Sequence, residues 1–392
     1  MQFPERFSNL PEYAFPRLRA LLADLPAGGP EIAMSIGEPK HAFPDFVPAV
    51  LAEYAHEFAK YPPNEGAPEL RQAISDWIMR RYNVAKDPDK EIFALNGTRE
   101  GLFNAALALC PEEKSGHRPK VLIPNPFYQV YAVAAAAVTA EPVFVDCPAI
   151  DNFLPRYDLL DEATLDQTAI AYVCSPSNPQ GAIADAAYWT TLINLAEKHD
   201  FRIFADECYS EIYRDKAPFG ALQVANQIGA DPERVLVFHS LSKRSNLPGL
   251  RSGFAASGPK TIAALKQLRA YAGAPLPLPL QRVATAVWQD ETHVVANRAL
   301  YREKYQIADQ VFAGLQGYHA PEAGFFLWLP VEDGEAATRK LWQETGVKVL
   351  PGAYLARDVD GQNPGSGYIR AAMVAETQEM ERGLNAIRSC IY

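Results

Sequence analysis

The most constraining feature of this sequence is a region from about residue 91 to residue 271, where short, uninterrupted apolar runs alternate with segments of helical periodicity. A strand that is apolar on both sides must be covered on both faces, which is typical of a parallel sheet between helices. The region therefore predicts an α/β fold with a mostly parallel central sheet sandwiched by helices. The predicted strands cover residues 92–95, 121–123, 142–145, 169–174, 202–205, 235–239 and 253–256, and the predicted helices cover 99–110, 127–138, 185–199 and 259–271.

The segments on either side of this region add further elements. Helical spacing recurs over residues 15–25, 46–58 and 70–82, and residues 34–39 predict a short strand that runs into a turn. After residue 281 the sequence predicts a smaller α+β unit, made of a long helical stretch from about 282, an apolar run at 324–329, a helix at 334–345, strands at 347–350 and 368–373, and a terminal helix.

A chain of 392 residues is long enough for two domains. We predict a large, cofactor-binding domain over residues 46–281. Residues 1–45 and 282–392 together would form the small domain.

Charge and composition exclude several classes of partner. The net charge is −10 and no run of Lys or Arg is long enough to follow a phosphate backbone, so we expect no nucleic acid partner. The most continuous apolar segment, residues 132–145, is interrupted by Thr139 and Glu141 and is too short to span a bilayer. The first residues do not have the pattern of a signal peptide. The five cysteines have no paired spacing, which favours neither disulfides nor a zinc site. We therefore expect a cytoplasmic protein without a membrane or metal partner.

The segment from Ser240 to Phe254 directly follows a predicted buried strand, where α/β proteins bind their ligands. Ser240, Ser242 and Arg251 are hydrogen-bond donors suited to a phosphate, and the glycines in the segment allow close approach of the backbone. Lys243 lies between these donors. It is either a point charge for the phosphate or a nucleophile that binds an aldehyde cofactor.

Three other predicted strands also end in polar residues. The turn at 96–100 leads directly into a helix, whose free amides form an anion site, although an ordinary Asn-Gly turn would look the same. Asn178 lies in a turn made rigid by prolines. Asp206 follows an apolar run, so it either caps a helix or needs a cation if it is buried. Tyr209, close behind it, is by itself a packing residue. The sequence contains no P-loop, dinucleotide-binding, zinc-protease or α/β-hydrolase motif.

The order and spacing of Asn178, Asp206, Lys243 and Arg251 resemble those of class I/II aminotransferases, which belong to fold type I of the enzymes that use pyridoxal 5′-phosphate. The resemblance extends from Ser35 to Arg370. It implies the fold of these transferases, pyridoxal 5′-phosphate as cofactor and aminotransferase activity.

The resemblance also implies roles for individual residues toward the cofactor ring. Lys243 would form the Schiff base and then move a proton during the reaction. Asp206 would keep the pyridine nitrogen protonated, so that the ring accepts electrons. Asn178 and Tyr209 would donate hydrogen bonds to the ring oxygen, and Tyr128 would stack on the ring.

The resemblance assigns further residues to the phosphate and to the substrate. Tyr61 would reach the phosphate of a neighbouring subunit, which implies a homodimer with shared active sites. Arg370, with Gly37 and Asn178, would bind the α-carboxylate of the amino- or keto-acid substrate. The phosphate would be held by Thr98, Arg99, Ser240, Ser242 and Arg251.

Two features depart from the general pattern of the family. The segment 244–248 replaces the usual aromatic after the lysine motif, and Arg99 stands where a smaller polar residue is more common. Together with the motifs at 35–42, 124–129 and 207–213, the segment is similar to the N-succinyldiaminopimelate aminotransferases of bacterial lysine biosynthesis.

This similarity implies amino-group transfer between L-glutamate/2-oxoglutarate and N-succinyl-2-amino-6-ketopimelate. Both substrates have a distal carboxylate, for which Lys40 is one candidate partner and Arg17 another. Three alternatives remain open. They are an aminotransferase for aspartate, aromatic amino acids or LL-diaminopimelate, a carbon–sulfur lyase on the same fold, and a non-catalytic regulator. A regulator would need a DNA-binding extension, and residues 1–45 show no pattern for one.

Overall fold

The structure is a computed structural model that describes residues 5–8, 10 and 12–392, except the side chain of residue 6. The described residues form twelve strands: β1 (Ile32–Ala33), β2 (Ile92–Leu95), β3 (Lys120–Asn125), β4 (Glu141–Asp146), β5 (Thr168–Cys174), β6 (Arg202–Asp206), β7 (Val235–Ser240), β8 (Gly253–Ala256), β9 (Phe326–Pro330), β10 (Val347–Lys348), β11 (Leu350–Pro351) and β12 (Tyr368–Ala372).

The central sheet has seven strands in the order β2-β8-β7-β6-β5-β3-β4. Only β8 runs antiparallel to its neighbours, so the prediction of a mostly parallel sheet is confirmed. The carboxyl ends of β2, β5, β6 and β7 therefore lie at one edge of the sheet. This edge brings together the polar residues that follow Leu95, Cys174, Ala205 and His239.

The described helices are α1 (Ala14–Leu22), α2 (Val47–Tyr54), α3 (Pro68–Tyr82), α4 (Thr98–Leu109), α5 (Val130–Ala137), α6 (Glu162–Asp166), α7 (Ala186–His199), α8 (Ala221–Ile228), α9 (Leu241–Arg244), α10 (Pro259–Arg269), α11 (Leu278–Gln289), α12 (Thr292–Val311), α13 (Gly334–Thr345) and α14 (Thr377–Ile391). Short 3-10 helices occur at Glu5–Phe7, Ala55–Ala59, Ala149–Asp151, Tyr157–Leu159, Pro248–Leu250 and Gly352–Leu355. No helix in the described part of the chain is long and apolar enough to cross a lipid bilayer.

The two faces of the central sheet carry separate cores. Alternate residues of one strand point to opposite faces, and this is visible in β6, where Ile203 and Phe204 are both fully buried but belong to different clusters. Ile203 packs in the core that includes α3, α7, α8 and α11. Phe204 packs in the core of α4, α5 and α10. The sheet is therefore sandwiched by helices, as predicted.

A second group of strands joins the N-terminal segment with the C-terminal one. β1 pairs in parallel with β10, and β11, β12 and β9 form an antiparallel sheet. Their shared core contains Met34, Leu341 and Met380, which are fully buried. The predicted boundaries of the two domains stay a prediction, although this pairing has the connectivity that the prediction requires.

The sequence prediction differs from the structure at four kinds of element. The strand predicted within residues 34–39 lies instead at Ile32–Ala33, because only those residues pair with β10. The predicted strand at 347–350 is two short strands in different sheets, because an apolar run does not specify its pairing partner. The long helical stretch after 282 is two helices, with Asp290 accepting a hydrogen bond from the backbone N–H of His293 at the start of α12 (3.1 Å). The prediction also missed three short helices, α6, α8 and α9.

Candidate active site

A cavity of about 320 Å³ lies at the carboxyl edge of the central sheet, against the strands of the small sheet. All the predicted site residues except Tyr61 line it: Gly37, Thr98, Arg99, Tyr128, Asn178, Asp206, Tyr209, Ser240, Ser242, Lys243, Arg251 and Arg370. Tyr61 is fully exposed and lies outside this cavity.

Lys243 lies in the short helix α9, directly after β7. Its Nζ donates a hydrogen bond to the backbone oxygen of Gly37 (2.5 Å) and lies 5.4 Å from the centre of the Phe325 ring. Burial lowers the pKa of this amine to about 8. Because a neutral amine is the nucleophilic form, Lys243 has the chemistry needed to attack an aldehyde near neutral pH.

Asp206 ends β6 and is 5% exposed. The hydroxyl of Tyr131 donates to its Oδ2 (2.8 Å), and the backbone N–H of Cys208 donates to its Oδ1 (3.4 Å). Burial raises the pKa of this carboxyl group, and no ion pair joins it to another described residue. A buried carboxylate is stabilised by a cation, so the floor of the cavity suits a ligand with a protonated nitrogen.

Hydroxyl and guanidinium groups surround another part of the cavity. Ser240 Oγ donates to Ser242 Oγ (2.9 Å) and also accepts a hydrogen bond from the backbone N–H of Ser242 (3.1 Å). Arg251 donates to the backbone oxygen of Pro248 (3.0 Å). Thr98 begins α4, where unpaired amides and the helix dipole favour an anion.

Gly97 keeps this region open for Arg251. The residue has a φ of +81°, which disfavours any side chain, and a Cβ at this position would overlap the Arg251 guanidinium. Arginine and serine donors around a helix start are suited to a phosphate.

Arg370 lies in β12 and is 4% exposed. It donates to the side-chain oxygen of Asn178 (2.9 Å) and to the backbone oxygen of Ser35 (2.7 Å), and its guanidinium lies 4.2 Å from the centre of the Phe326 ring. Its Nε is buried and makes no hydrogen bond with the described residues. Burial lowers the pKa of Arg370 to about 10. The guanidinium of Arg370 is largely removed from water and its Nε lacks a partner, and both features favour a bound carboxylate.

Tyr209 forms part of the wall beside Arg370. It is 8% exposed and packs edge-on against Phe325, with ring centres 5.4 Å apart. Burial raises the pKa of its hydroxyl, which keeps it protonated and able to donate a hydrogen bond.

Arg99 and Tyr128 lie at the exposed side of the cavity. Arg99 Nε donates to the hydroxyl of Tyr128 (2.6 Å), and Arg99 is itself exposed. Tyr13 and Phe15, from the start of α1, line the same side. Besides Arg251, the cavity therefore has one arginine in its depth, Arg370, and another at its mouth, Arg99.

Neither Lys40 nor Arg17 lines this cavity. Lys40 is exposed. Arg17 lies 3.8 Å over the ring of Tyr354 and pairs with Glu12 (3.6 Å) and Glu335 (3.7 Å). Arg17 therefore has partners of its own. Arg99, which lines the cavity, is the better-placed cation for the distal carboxylate of a substrate.

Sequence reasoning missed Tyr131 and Cys208, which both contact Asp206. A signal for Tyr131 was present, because in the helix predicted over 127–138 it follows Tyr128 by three residues and would share its side; in the structure Tyr128 lies just before α5. Cys208 gave no such signal, since a cysteine after an acidic pair has no characteristic chemistry. Its Sγ lies 3.0 Å from Thr98 Oγ1 and joins two strand ends across the cavity.

We expect Tyr131→Phe to reduce kcat by about tenfold, because a hydrogen bond to a charged group is worth roughly 1.5–3 kcal/mol. The matched control is Tyr157→Phe, which also removes a buried hydroxyl, one that donates to the backbone oxygen of Tyr172 (2.8 Å) away from the cavity. Steady-state kinetics and thermal unfolding of both variants measure the difference. Equal losses of kcat in the two variants would show that Tyr131 has no particular role toward Asp206.

Comparison with known proteins supports these observations. The family model of aminotransferase class I and II matches residues 30–387. An LL-diaminopimelate aminotransferase of Dehalococcoides mccartyi is 31% identical, and the match covers 98% of this chain and 97% of that protein. A crystal structure of an aminotransferase from Neisseria meningitidis is 39% identical over the whole of both chains, with a TM-score of 0.94. A probable N-succinyldiaminopimelate aminotransferase from Thermus thermophilus, 23% identical with a TM-score of 0.84 over 96% of this chain and 100% of its own, shares the fold.

The fold and these similarities define an enzyme that transfers an amino group. More specifically, the chain belongs to the class I and II aminotransferases. The fold predicted from the resemblance, that of a type I transferase, is confirmed.

Proposed function

We propose that this aminotransferase uses pyridoxal 5′-phosphate to transfer an amino group between L-glutamate/2-oxoglutarate and N-succinyl-2-amino-6-ketopimelate, a reaction of lysine biosynthesis. The observation that carries the proposal is that the cavity has two arginines besides Arg251 of the phosphate donors, Arg370 in its depth and Arg99 at its mouth, around the buried amine of Lys243. Two cations in one cavity suit a substrate with two carboxylates.

The residues of the cavity fit the cofactor. Asp206 has the buried, unpaired carboxylate that a protonated pyridine nitrogen needs, and Lys243 has a buried amine for the aldehyde. Ser240, Ser242 and Arg251 supply donors for the phosphate. When bound, the cofactor supplies an electron-accepting ring that stabilises the negative charge developing at the substrate α-carbon.

Residues of the chain itself would bind and orient the substrate and move the proton. Arg370 would bind the substrate α-carboxylate, while Asn178 and Ser35 hold the guanidinium in place. With the carboxylate fixed, the α-carbon would lie in the same cavity as the amine of Lys243. Lys243, with its pKa of about 8, can accept the α-proton and return it.

The test is a screen of the first half-reaction. The protein is loaded with pyridoxal 5′-phosphate, amino acids are added singly, and the absorbance change from the aldehyde to the amine form of the cofactor is followed. L-glutamate and N-succinyl-LL-2,6-diaminopimelate should both convert the cofactor. Failure of every amino acid to convert it would refute aminotransferase activity, and release of pyruvate would indicate the carbon–sulfur lyase instead.

A second candidate is direct transfer to and from LL-diaminopimelate. It is favoured by the name of the relative from Dehalococcoides mccartyi, which is similar over almost its whole length. The same screen separates the two candidates, because only one requires the N-succinyl group. Faster conversion by unsubstituted LL-diaminopimelate than by its succinyl derivative would select the second candidate.

We expect Arg99→Ala to lower kcat/KM for glutamate by up to about fivefold, because an arginine–carboxylate pair at an exposed position contributes roughly 0.2–1 kcal/mol. Alanine has no distal carboxylate, so its kcat/KM should change little. Lys40→Ala is the matched control, since Lys40 is an exposed cation outside the cavity. An equal loss for glutamate and alanine would indicate that Arg99 acts on the cofactor phosphate rather than on the substrate.

We also propose a cytoplasmic homodimer in which Tyr61 contributes to the partner's site. The full exposure of Tyr61 in the single chain supports this proposal, because a large aromatic side chain is seldom left completely in water. Sedimentation of the cofactor-loaded protein measures the assembly. A purely monomeric active enzyme would refute it.

A further inference from the structure

A chain of buried polar side chains lies behind the cavity, among residues to which the proposed reaction assigns no role. It begins at Lys304 in α12, which is fully buried. Its Nζ donates to the backbone oxygens of Ala375 (2.6 Å) and Met373 (3.1 Å), and it lies 2.7 Å from Nε2 of His41. Lys304 has no carboxylate within ion-pair distance among the described residues. Its charge is therefore satisfied by two carbonyls and one imidazole.

This arrangement specifies the protonation of His41. Because the ammonium group of Lys304 donates to Nε2, the ring must be neutral and carry its proton on Nδ1. Nδ1 then donates to Asn297 Oδ1 (3.0 Å). Asn297 is 5% exposed, and its amide nitrogen donates to the backbone oxygen of Lys243 (3.5 Å). The chain of donors thus ends on the backbone of Lys243.

Asn246 makes a second contact with Asn297 and links it to the segment that contains Ala42. Its Nδ2 donates to Asn297 Oδ1 (3.1 Å) and to the backbone oxygen of Ala42 (3.1 Å). Asn246 belongs to the segment after Lys243 that departs from the general family pattern. The same few side chains therefore touch three separate parts of the chain.

Those three parts each carry a residue of the cavity. His41 and Ala42 follow Gly37, whose backbone oxygen accepts the hydrogen bond of Lys243 Nζ. Met373 and Ala375 follow the strand that carries Arg370. Asn297 contacts Lys243 itself. Since all three are distant in sequence, their relative positions depend on the contacts between them.

We infer that Lys304, His41 and Asn297 form a positioning relay that aligns Lys243 with the Arg370 strand and the Gly37 segment and that opens when His41 is protonated. Protonated His41 would direct an N–H at the ammonium group of Lys304, and two cations in direct contact would separate. The inference rests on the proposed function, because alignment is useful only if Lys243 and Arg370 act on one substrate.

The charged and titratable groups around the relay support its opening on protonation of His41. His41 is faced by Lys304, by Glu376 and by the ring of Tyr301, 4.8 Å away. Burial lowers the pKa of His41, and Asn297 and Glu376 oppose this while Lys304 adds to it. Burial likewise lowers the pKa of Lys304 to about 8, with Glu376 and Glu303 opposing and Lys40 adding to it. Since burial lowers the His41 pKa, the ring is neutral and the relay is closed at neutral pH, and the relay opens as the pH falls through this lowered pKa.

The test compares two substitutions of His41. Asn in place of His (His41→Asn) keeps a donor near the Nδ1 position and cannot be protonated, whereas His41→Phe keeps the ring contact with Tyr301 and removes both hydrogen bonds. His199→Phe is the matched control, because His199 is a buried histidine that bonds Asp166 (2.6 Å) far from the cavity. The readouts are kcat and KM from pH 5 to 8.5, and the pH at which the absorption band of the bound cofactor shifts.

Wild-type kcat should fall as the pH falls through the lowered His41 pKa, and His41→Asn should flatten this fall while retaining kcat at pH 7 within about threefold. His41→Phe should lower kcat about tenfold at pH 7 and raise the KM for glutamate, because Arg370 is no longer aligned with Lys243, and should move the pH of the absorption shift, which His199→Phe should not do. The inference is overturned if His41→Asn keeps the wild-type fall, or if His41→Phe matches His199→Phe. If His41→Phe does not fold, His41→Asn decides alone. A wild-type protein without any half-reaction refutes the proposed function instead.

Discussion

Replacing Lys243 by alanine should lower the rate of amino-group transfer by at least about 10⁴-fold, because one side chain holds both the nucleophile and the base. The amine is the only described lysine side chain that lines the cavity, so no neighbouring lysine can replace it. Turnover of glutamate with 2-oxoglutarate and the visible absorption of the cofactor-loaded protein measure the effect. Turnover of Lys243→Ala comparable to that of the wild type would refute the proposed mechanism.

The apoprotein provides a control for folding in the same experiment. Burial lowers the pKa of Lys243 to about 8, so the unfolded chain binds more protons than the folded one between pH 8 and the ordinary value of 10.5. Below pH 8 the folded protein therefore bears the full cost of a buried ammonium group. We expect apo Lys243→Ala to unfold at the same temperature as wild-type apoprotein or at a higher one. Cofactor binding by the wild type should become faster as the pH rises toward 8.

Arg370→Lys should lower kcat/KM for glutamate by about 10²- to 10³-fold. A lysine keeps the charge but cannot form the planar, two-pronged contact with a carboxylate, and a lost contact of this kind costs roughly 2–5 kcal/mol. It also could not hold Asn178 and the backbone of Ser35 in their present arrangement. The measurement is the concentration dependence of the first half-reaction.

Arg71→Lys is the matched control for this substitution. Arg71 is 5% exposed and bonds the backbone oxygens of Gly66 (3.1 Å) and Pro88 (2.7 Å) outside the cavity. The Arg71→Lys variant should be less stable than the wild type but keep its kcat/KM for glutamate. A similar loss of kcat/KM in both variants would mean that Arg370 acts through the fold and not through the substrate.

The central sheet could be predicted from the sequence because burial on both faces leaves a strong local signal. The residues of β5 are all buried, and the corresponding run of apolar residues is uninterrupted. The smaller unit was harder to predict from the sequence, since its strands are two to five residues long and their partners are distant in sequence. Nothing local in residues 347–351 shows that Lys348 pairs with Ala33 while Leu350 pairs with Arg370.

The candidate site was predictable to the extent that its residues follow strands. Asn178, Asp206 and Lys243 each follow a strong strand signal, and the resemblance supplied their roles. Those roles stay predictions until the substitutions are made. The surroundings were not predictable, because Tyr131 and His41 act through contacts across 75 and 256 residues of sequence. Periodicity does not report contacts at that range.

The pairing of β1 with β10 has a consequence for the synthesis of the protein. Residues 32–33 leave the ribosome more than three hundred residues before their partner strand at 347–348. The central sheet ends at residue 256 and can form first. The segment that carries Gly37 has to wait for residues 347–375, which include Arg370 and the carbonyls that hold Lys304. On the proposed role of Arg370, we therefore expect a nascent chain that has already folded its sheet to be inactive, and a chain that ends before residue 370 to have no aminotransferase activity.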